Sequence, residues 1–263
     1  MIFMKNVIIL GSGRSGTSML AGSLAKAGYF LGKNANYLGE NKSNPKGFFE
    51  DFEVNTINED ILRLSLPVFP EKIRKRIFPS YTFYRARWLA RLPLRTKIKT
   101  TSAIEKRIKK IVENEPFCLK DPRFSYTYPT WKKHFNRNTQ FIVIYRNPAK
   151  TAASILRECK ESAGLKDLKI NQKIALQVWK SFYSHILNNY HNSSEKKDWF
   201  FLHFDQIFNP EIVFKLEEFL EVKMDTNFPE KKISRTGEIK GNYNSEIQTI
   251  YSKLNRLAEY NIT

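Results

Sequence analysis

Cysteine, histidine and acidic residues are scarce in this chain, and each shortage closes off a class of chemistry. Only two cysteines, Cys118 and Cys159, occur among 263 residues. They are too few for a disulfide framework and lack metal-ligand spacing, so both are expected as reduced thiols. The four histidines, His134, His185, His191 and His203, are scattered and form no zinc motif. No run of about 18 apolar residues is present to cross a bilayer. The amino terminus passes straight into a strand-like VIIL without a signal-peptide pattern. These absences predict a soluble, cytoplasmic protein that needs no metal.

The acid shortage leaves a formal net charge of +18. Between Arg63 and Lys110, fifteen lysines and arginines face only Glu71 and Glu105, a local excess of +13. Such a field attracts polyanions: nucleic acid, anionic lipid, acidic glycan or a highly charged nucleotide. Hydrophobic residues make up 41% of the chain and aromatic residues 14%, enough for one large core. With no internal repeat and no low-complexity tract, a single domain over 1–263 is the expectation.

Strand-like and helix-like segments alternate, which predicts an α/β fold with a central parallel sheet flanked by helices. VIIL (7–10) leads through a glycine turn into a helix from about Thr17 to Ala27, and GYFLG (28–32) reads as a second strand. A polar loop over 33–50 precedes a helix from about Phe52 to Leu64. The basic, proline-punctuated stretch that follows reads as a helical or loop insertion, about 65–110. FCLK (117–120) is a short strand, and FIVIY (141–145) carries the clearest strand signal. Asn147 is placed to cap the next helix, and Pro148 suits its first position. A long helix over about Asn171 to Tyr190, a strand WFFLHF (199–204) and a helix from Pro210 to Leu220 complete the pattern.

The turn VIILGSGRSGTS (7–18) overlaps two nucleotide loops. Gly11, Gly13 and Gly16 fit GxGxxG, whereas Gly11, Gly16 and Ser18 fit GxxxxGK[ST] with Thr17 in the lysine place. Consecutive amides backed by a helix N-terminus form an anion cradle, and Arg14 adds charge to it. A dinucleotide site also needs an acidic residue ending the second strand, where this chain has Gly32-Lys33. A triphosphatase site needs the missing lysine and a metal-holding carboxylate, a place that Asp121 could fill. A second constellation lies in FIVIYRNPAKTAASIL (141–156). Arg146 ends a buried strand, and Ser154 follows eight residues later, about two helical turns on. Together they could clamp one phosphate from two sides.

With both constellations in view, the sequence resembles the sulfotransferases that use 3′-phosphoadenosine 5′-phosphosulfate (PAPS). Gly13, Arg14, Ser15, Gly16, Thr17 and Ser18 match the family's turn for the 5′-phosphosulfate, P/G-R/K-S/G-G-T-S/T. Arg146 and Ser154 match its arginine and serine for the 3′-phosphate. HFDQIFNPEIVFKLEEFLEV (203–222) is similar to the family's Y-E-D-L-x-x-N-P-E and following helix, with Phe204 and Gln206 as departures. LKDPR (119–123) is similar to a stretch of bacterial, glycan and tyrosyl-protein members, and NPKGFFEDFE (44–53) looks like an N-P-K-G-aromatic-aromatic-E-N/D motif of bacterial members. ISRTGEIKGNY (233–243) is reminiscent of R-K-G-x-x-G-D-W, which makes Arg235 a further cofactor candidate. The likeness spans most of 5–222, with the basic insertion outside it, and implies a three-layer P-loop-like fold.

The resemblance implies sulfuryl transfer from PAPS to a hydroxyl or amine, leaving 3′,5′-ADP. Arg14 and the Ser15 to Ser18 amides are assigned to the phosphosulfate, with Lys120 stabilising leaving-group charge. Glu50 is the candidate base, with Glu40 and Asp51 in reserve. Capping the next helix or pairing with Arg123 is the structural alternative for Glu50, and an ordinary strand-end lysine that for Lys120. The four histidines lie in none of the positions expected of a base. The acceptor is expected to be a glycan or polysaccharide, with peripheral association to anionic membrane or acidic glycan possible and no nucleic-acid partner expected. A P-loop kinase and a non-enzymatic polyanion binder are the competing classes.

Overall fold

Apolar runs without a polar face become strands covered on both sides, and four of them build the sheet. They are β1 (Asn6–Leu10), β2 (Cys118–Lys120), β3 (Thr139–Tyr145) and β4 (Trp199–His203), in the parallel order β2-β1-β3-β4. The computed structural model describes residues 4–35, 38–40, 44–66, 70, 72–73, 76, 85–230 and 244–261. None of its described helices is long and apolar enough to cross a membrane.

The α-helices of eight or more residues among the described residues are α1 (Thr17–Ala25), α2 (Phe52–Ser65), α3 (Ser102–Val112), α4 (Phe124–Trp131), α5 (Pro148–Glu161), α6 (Gln172–His191), α7 (Pro210–Leu220) and α8 (Ser245–Leu257). Alternation along β1 sorts them into layers. Val7 and Ile9 pack with Leu20 and Leu24 of α1 and with Leu216 and Leu220 of α7. Ile8 and Leu10 face the opposite layer, meeting Ile57 of α2, Ile108 of α3, Trp131 of α4 and Trp179 of α6. This is the three-layer α/β arrangement expected. The start of α5 is also as read: Asn147 Oδ1 accepts from the amides of Ala149 (3.0 Å) and Lys150 (3.2 Å), and Pro148 opens the helix.

GYFLG (28–32) is not a strand. Only Phe30 bridges to the sheet, through Phe117. Gly28 and Gly32 have φ of +96° and +106°, so the extended conformation is broken at each end of the segment. The basic stretch is divided in its described parts. Ala86, Leu89, Ala90 and Leu92 pack on Ala152 and Ile155 of α5 and Val178 and Phe182 of α6. Arg87 and Arg123 pair with the buried Glu59, and Arg123 with Asp121 at 3.0 Å. This network ties the segment around Arg87 to α2 and to the end of β2.

The carboxyl end of β4 carries a pH-sensitive joint. His203 is buried, its ring stacked on Tyr260 at 3.8 Å, and Nδ1 accepts from the Asp205 amide at 3.2 Å. Gln206 accepts from His203 N–H (2.7 Å) and donates to the Ala258 carbonyl (2.8 Å), locking the end of α8 to the sheet. Burial holds the His203 pKa down at about 4, with Asp205 opposing and Arg146 and Lys150 assisting. The unfolded imidazole titrates near 6.5 and therefore takes up a proton that the native ring refuses. Stability is accordingly full above about pH 6.5 and falls by on the order of 1 kcal/mol per pH unit as pH drops towards 4. Melting temperatures of wild type and His203→Gln across this window check it: the pH dependence should flatten in the variant.

Candidate active site

The register of the sheet decides where the glycine turn and Arg146 meet. From β1 the chain runs out to β2 on one side and later to β3 on the other, so the carboxyl ends of β1 and β3 flank the topological switch point. Leu10 pairs with Val143, which brings Gly11 abreast of Ile144, two residues before Arg146. A Cβ on Gly11 would lie 2.4 Å from the Ile144 carbonyl oxygen, and a Cβ on Gly16 (φ +100°) 2.5 Å from the Phe204 ring. Backbone and ring leave no room there, so these two positions require glycine.

The turn is pinned from below. Tyr183 Oη donates to the Ile144 carbonyl (2.9 Å) and accepts from the Ser12 amide (3.4 Å). Burial pushes its pKa up to about 12, which keeps the donor proton in place. Ser12 Oγ and Ser15 Oγ share a 2.8 Å hydrogen bond, and the Ser15 amide donates to Ser12 O at 3.3 Å. Ser15 thus also holds the loop from within, through its amide and its hydroxyl. Gly16 is the N-cap of α1 and makes no side-chain cap hydrogen bond. The first turn of α1 is therefore presented to whatever fills the cleft, with the positive end of its dipole.

One cleft of about 400 Å³ joins the two constellations, a size suited to a nucleotide. Gly13, Arg14, Gly16, Thr17 and Ser18 line it, and so do Glu50, Lys120, Arg146 and Ser154. The guanidinium of Arg14 does not stay over its own loop. Its Nε donates to Ser154 Oγ (3.2 Å) and its Nη1 lies 3.4 Å from Glu158 Oε2. The Glu158 carboxylate draws it across, so the loop arginine sits at the Arg146 end of the cleft. Arg157 lines the same end, and Arg146 rests over the Phe204 ring at 4.4 Å. Burial, together with Arg14 and Arg157, holds the Arg146 pKa below its ordinary value, with Asp205 opposing. This end gathers three arginines, Arg14, Arg146 and Arg157, around the Glu158 carboxylate.

At the other end, Lys120 closes β2 beside the first turn of α1. Its Nζ lies 2.6 Å from Glu50 Oε1 and 3.3 Å from Ser18 Oγ, with only 1% of the side chain exposed. Burial lowers its pKa, and Glu50 and Asp121 pull it back up. Glu50 does not cap α2: Asp51 does, accepting from Glu53 N–H (2.9 Å) and Val54 N–H (3.0 Å). Nor does Glu50 form an ion pair with Arg123, whose partners are Glu59 and Asp121. Glu40 is exposed. Asp121, the stand-in for a metal-holding acid, is fully buried and accepts from Asn55, Asn58 and Arg123. Arg235 lies outside the described residues.

Sequence reasoning did not single out Arg157, Glu158, Arg85 or Trp88 as site residues. The first two follow Ser154 on the face of α5 and were legible as its i+3 and i+4 neighbours. Arg85 and Trp88 enter the cleft wall from the basic stretch, Trp88 lying over Gly13. The described lining counts six cations, Arg14, Arg85, Lys120, Arg123, Arg146 and Arg157, against Glu50, Glu158 and Glu230.

No family model matches the chain, and no curated protein matches it. Among solved structures it is similar to the sulfotransferase domain from the curacin biosynthetic pathway, at 18% identity and TM-score 0.52 over 99% of both chains. It is also similar to the sulfotransferase domain from the Synechococcus PCC 7002 olefin synthase, at 13% identity and TM-score 0.51 over 98% of this chain and 95% of that one. Sulfotransferase STF9 from Mycobacterium avium matches at 12% identity and TM-score 0.52, over 100% of this chain and 79% of that one. The chain therefore has the α/β fold of these sulfotransferase domains.

Proposed function

We propose that this protein is a PAPS-dependent sulfotransferase. The observation that carries the reading is a single cleft with an anion site at each end. Helix α1 and Lys120 form one site; Arg146, Ser154 and Arg157 form the other. A nucleotide with a 5′-phosphosulfate and a 3′-phosphate has the matching pair of charges. The sulfotransferase domains that share the fold support the reaction class.

The chain's own residues supply positioning and charge, which is most of what sulfuryl transfer needs, as in phosphoryl transfer. The acceptor hydroxyl attacks sulfur in line; its S–O bond forms as the bond from sulfur to the phosphate oxygen breaks. Glu50 takes the hydroxyl proton. Neutralising Glu50 releases Lys120, which turns to the departing phosphate oxygen beside Ser18, so proton transfer and leaving-group stabilisation are coupled through one ion pair. The acceptor is a hydroxyl of a glycan or polysaccharide, approached along the wall formed by Trp88 and Arg85.

Thermal shift tests the donor. At a hundredfold excess over Kd, 3′,5′-ADP should stabilise the fold by about 2.7 kcal/mol. Mg-ATP should give no comparable shift. The opposite pattern would favour the kinase reading.

A further inference from the structure

Glu158 is a carboxylate set among Arg14, Arg146 and Arg157 at one end of the cleft. It lies one helical turn beyond Ser154 on the same face of α5, lines the cleft, and is buried to 7% exposure. Its two oxygens are used differently. Oε1 accepts from Ser162 Oγ at 2.9 Å, a contact within its own helix end that fixes the carboxylate in place. Oε2 faces Arg14 Nη1 at 3.4 Å, a longer contact, and the same guanidinium donates through Nε to Ser154. Ser162, Glu158, Arg14 and Ser154 therefore form a chain of contacts in which Arg14 is shared between the carboxylate and Ser154.

Two consequences follow from the spacing. Glu158 supplies counter-charge to Arg14 within a cluster that also holds Arg146 and Arg157. With an anion bound at Ser154, the carboxylate lies within about one turn, 5.4 Å of helix rise, of another negative group. At that distance, in a cleft walled by protein, like charges repel appreciably. The arginine also has a better partner in a phosphate, whose oxygens accept bidentate hydrogen bonds.

We propose that Glu158 is a built-in competitor for the anion site: it holds Arg14 while the cleft is empty, yields it to the nucleotide's 3′-phosphate, and reclaims it as the spent nucleotide leaves. The inference rests on the sulfotransferase reading and adds to it a residue that sets donor affinity and product release. The carboxylate weakens binding of 3′,5′-ADP and thereby speeds its departure. Because release of product limits many turnovers, such a device raises kcat at the expense of KM.

Calorimetric titration of 3′,5′-ADP into wild type and Glu158→Gln tests this. Glutamine keeps the shape and can still accept from Ser162, so only the charge is removed. The variant should bind at least about fivefold more tightly at low salt, and the difference should shrink towards unity near 1 M salt, where the screening length is about 3 Å. Glu158→Asp, which keeps the charge but withdraws it from Arg14, should fall between the two and serves if the glutamine variant folds poorly. In steady state, Glu158→Gln should show a lower KM for the donor together with a lower kcat, a split that a merely structural residue would not produce. Wild-type binding with equal or weaker binding by both variants would overturn the proposal while leaving the sulfotransferase reading intact. Failure of the wild-type protein to bind 3′,5′-ADP would overturn both.

Discussion

Glu50→Gln is expected to lower kcat by roughly 10³-fold, within the range that general bases contribute, while leaving the affinity for 3′,5′-ADP within a factor of a few. The argument rests on where the pair sits. Glu50 and Lys120 lie 2.6 Å apart and are both buried, beside Ser18 on the first turn of α1. Glutamine still offers Lys120 an oxygen, so the cleft keeps its shape, but it cannot accept the acceptor's proton. It also leaves a buried ammonium without its counter-charge. Burial already pulls the Lys120 pKa down. A single-turnover sulfate-transfer assay beside a binding titration separates these effects. Unchanged turnover would remove Glu50 from the mechanism; joint loss of binding and turnover would make it a structural residue.

Arg146→Ala carries the second large effect. Removing a buried arginine from a phosphate site is expected to cost about 3 kcal/mol of binding, roughly a hundredfold in the Kd for 3′,5′-ADP. Affinity for 5′-AMP, which lacks the 3′-phosphate, should change little. The ratio of the two Kd values is the readout, and it should fall towards unity in the variant. Stability should move the other way. The Arg146 charge is disfavoured in the fold by burial and by Arg14 and Arg157. Its removal relieves that strain, so the melting temperature of the unliganded variant should match or exceed that of wild type, a common exchange of stability for function. Equal losses for both nucleotides would place the 3′-phosphate elsewhere.

The parts of this fold that were legible share one property: their signal is local. Val7 to Leu10 and Phe141 to Tyr145 read as strands because every residue is apolar and most are β-branched or aromatic, and both are buried throughout. Asn147-Pro148 marked a helix start because a cap and a fixed φ act within one turn. Arg146 and Ser154 could be paired in advance because both ride on one strand-to-helix connection. Where local signals compete, reading failed. GYFLG has strand composition, yet positive φ at its two glycines leaves one bridge in place of a strand. FSYTYPTW became α4, a helix buried on nearly every side, so no polar face marked its period.

The sequence by itself determined a tight glycine turn running into a helix and an arginine and a serine on one strand-to-helix connection, because each is a short stretch whose backbone is set by near neighbours. Only the tertiary structure decided that they line the same cleft. Parallel pairing places the ends of β1, β2 and β3 side by side, bringing Lys120 to Glu50 across 70 positions of sequence and Arg14 to Ser154 across 140. Those contacts depend on strand order and register, and sheet pairing is a long-range choice that no local pattern encodes.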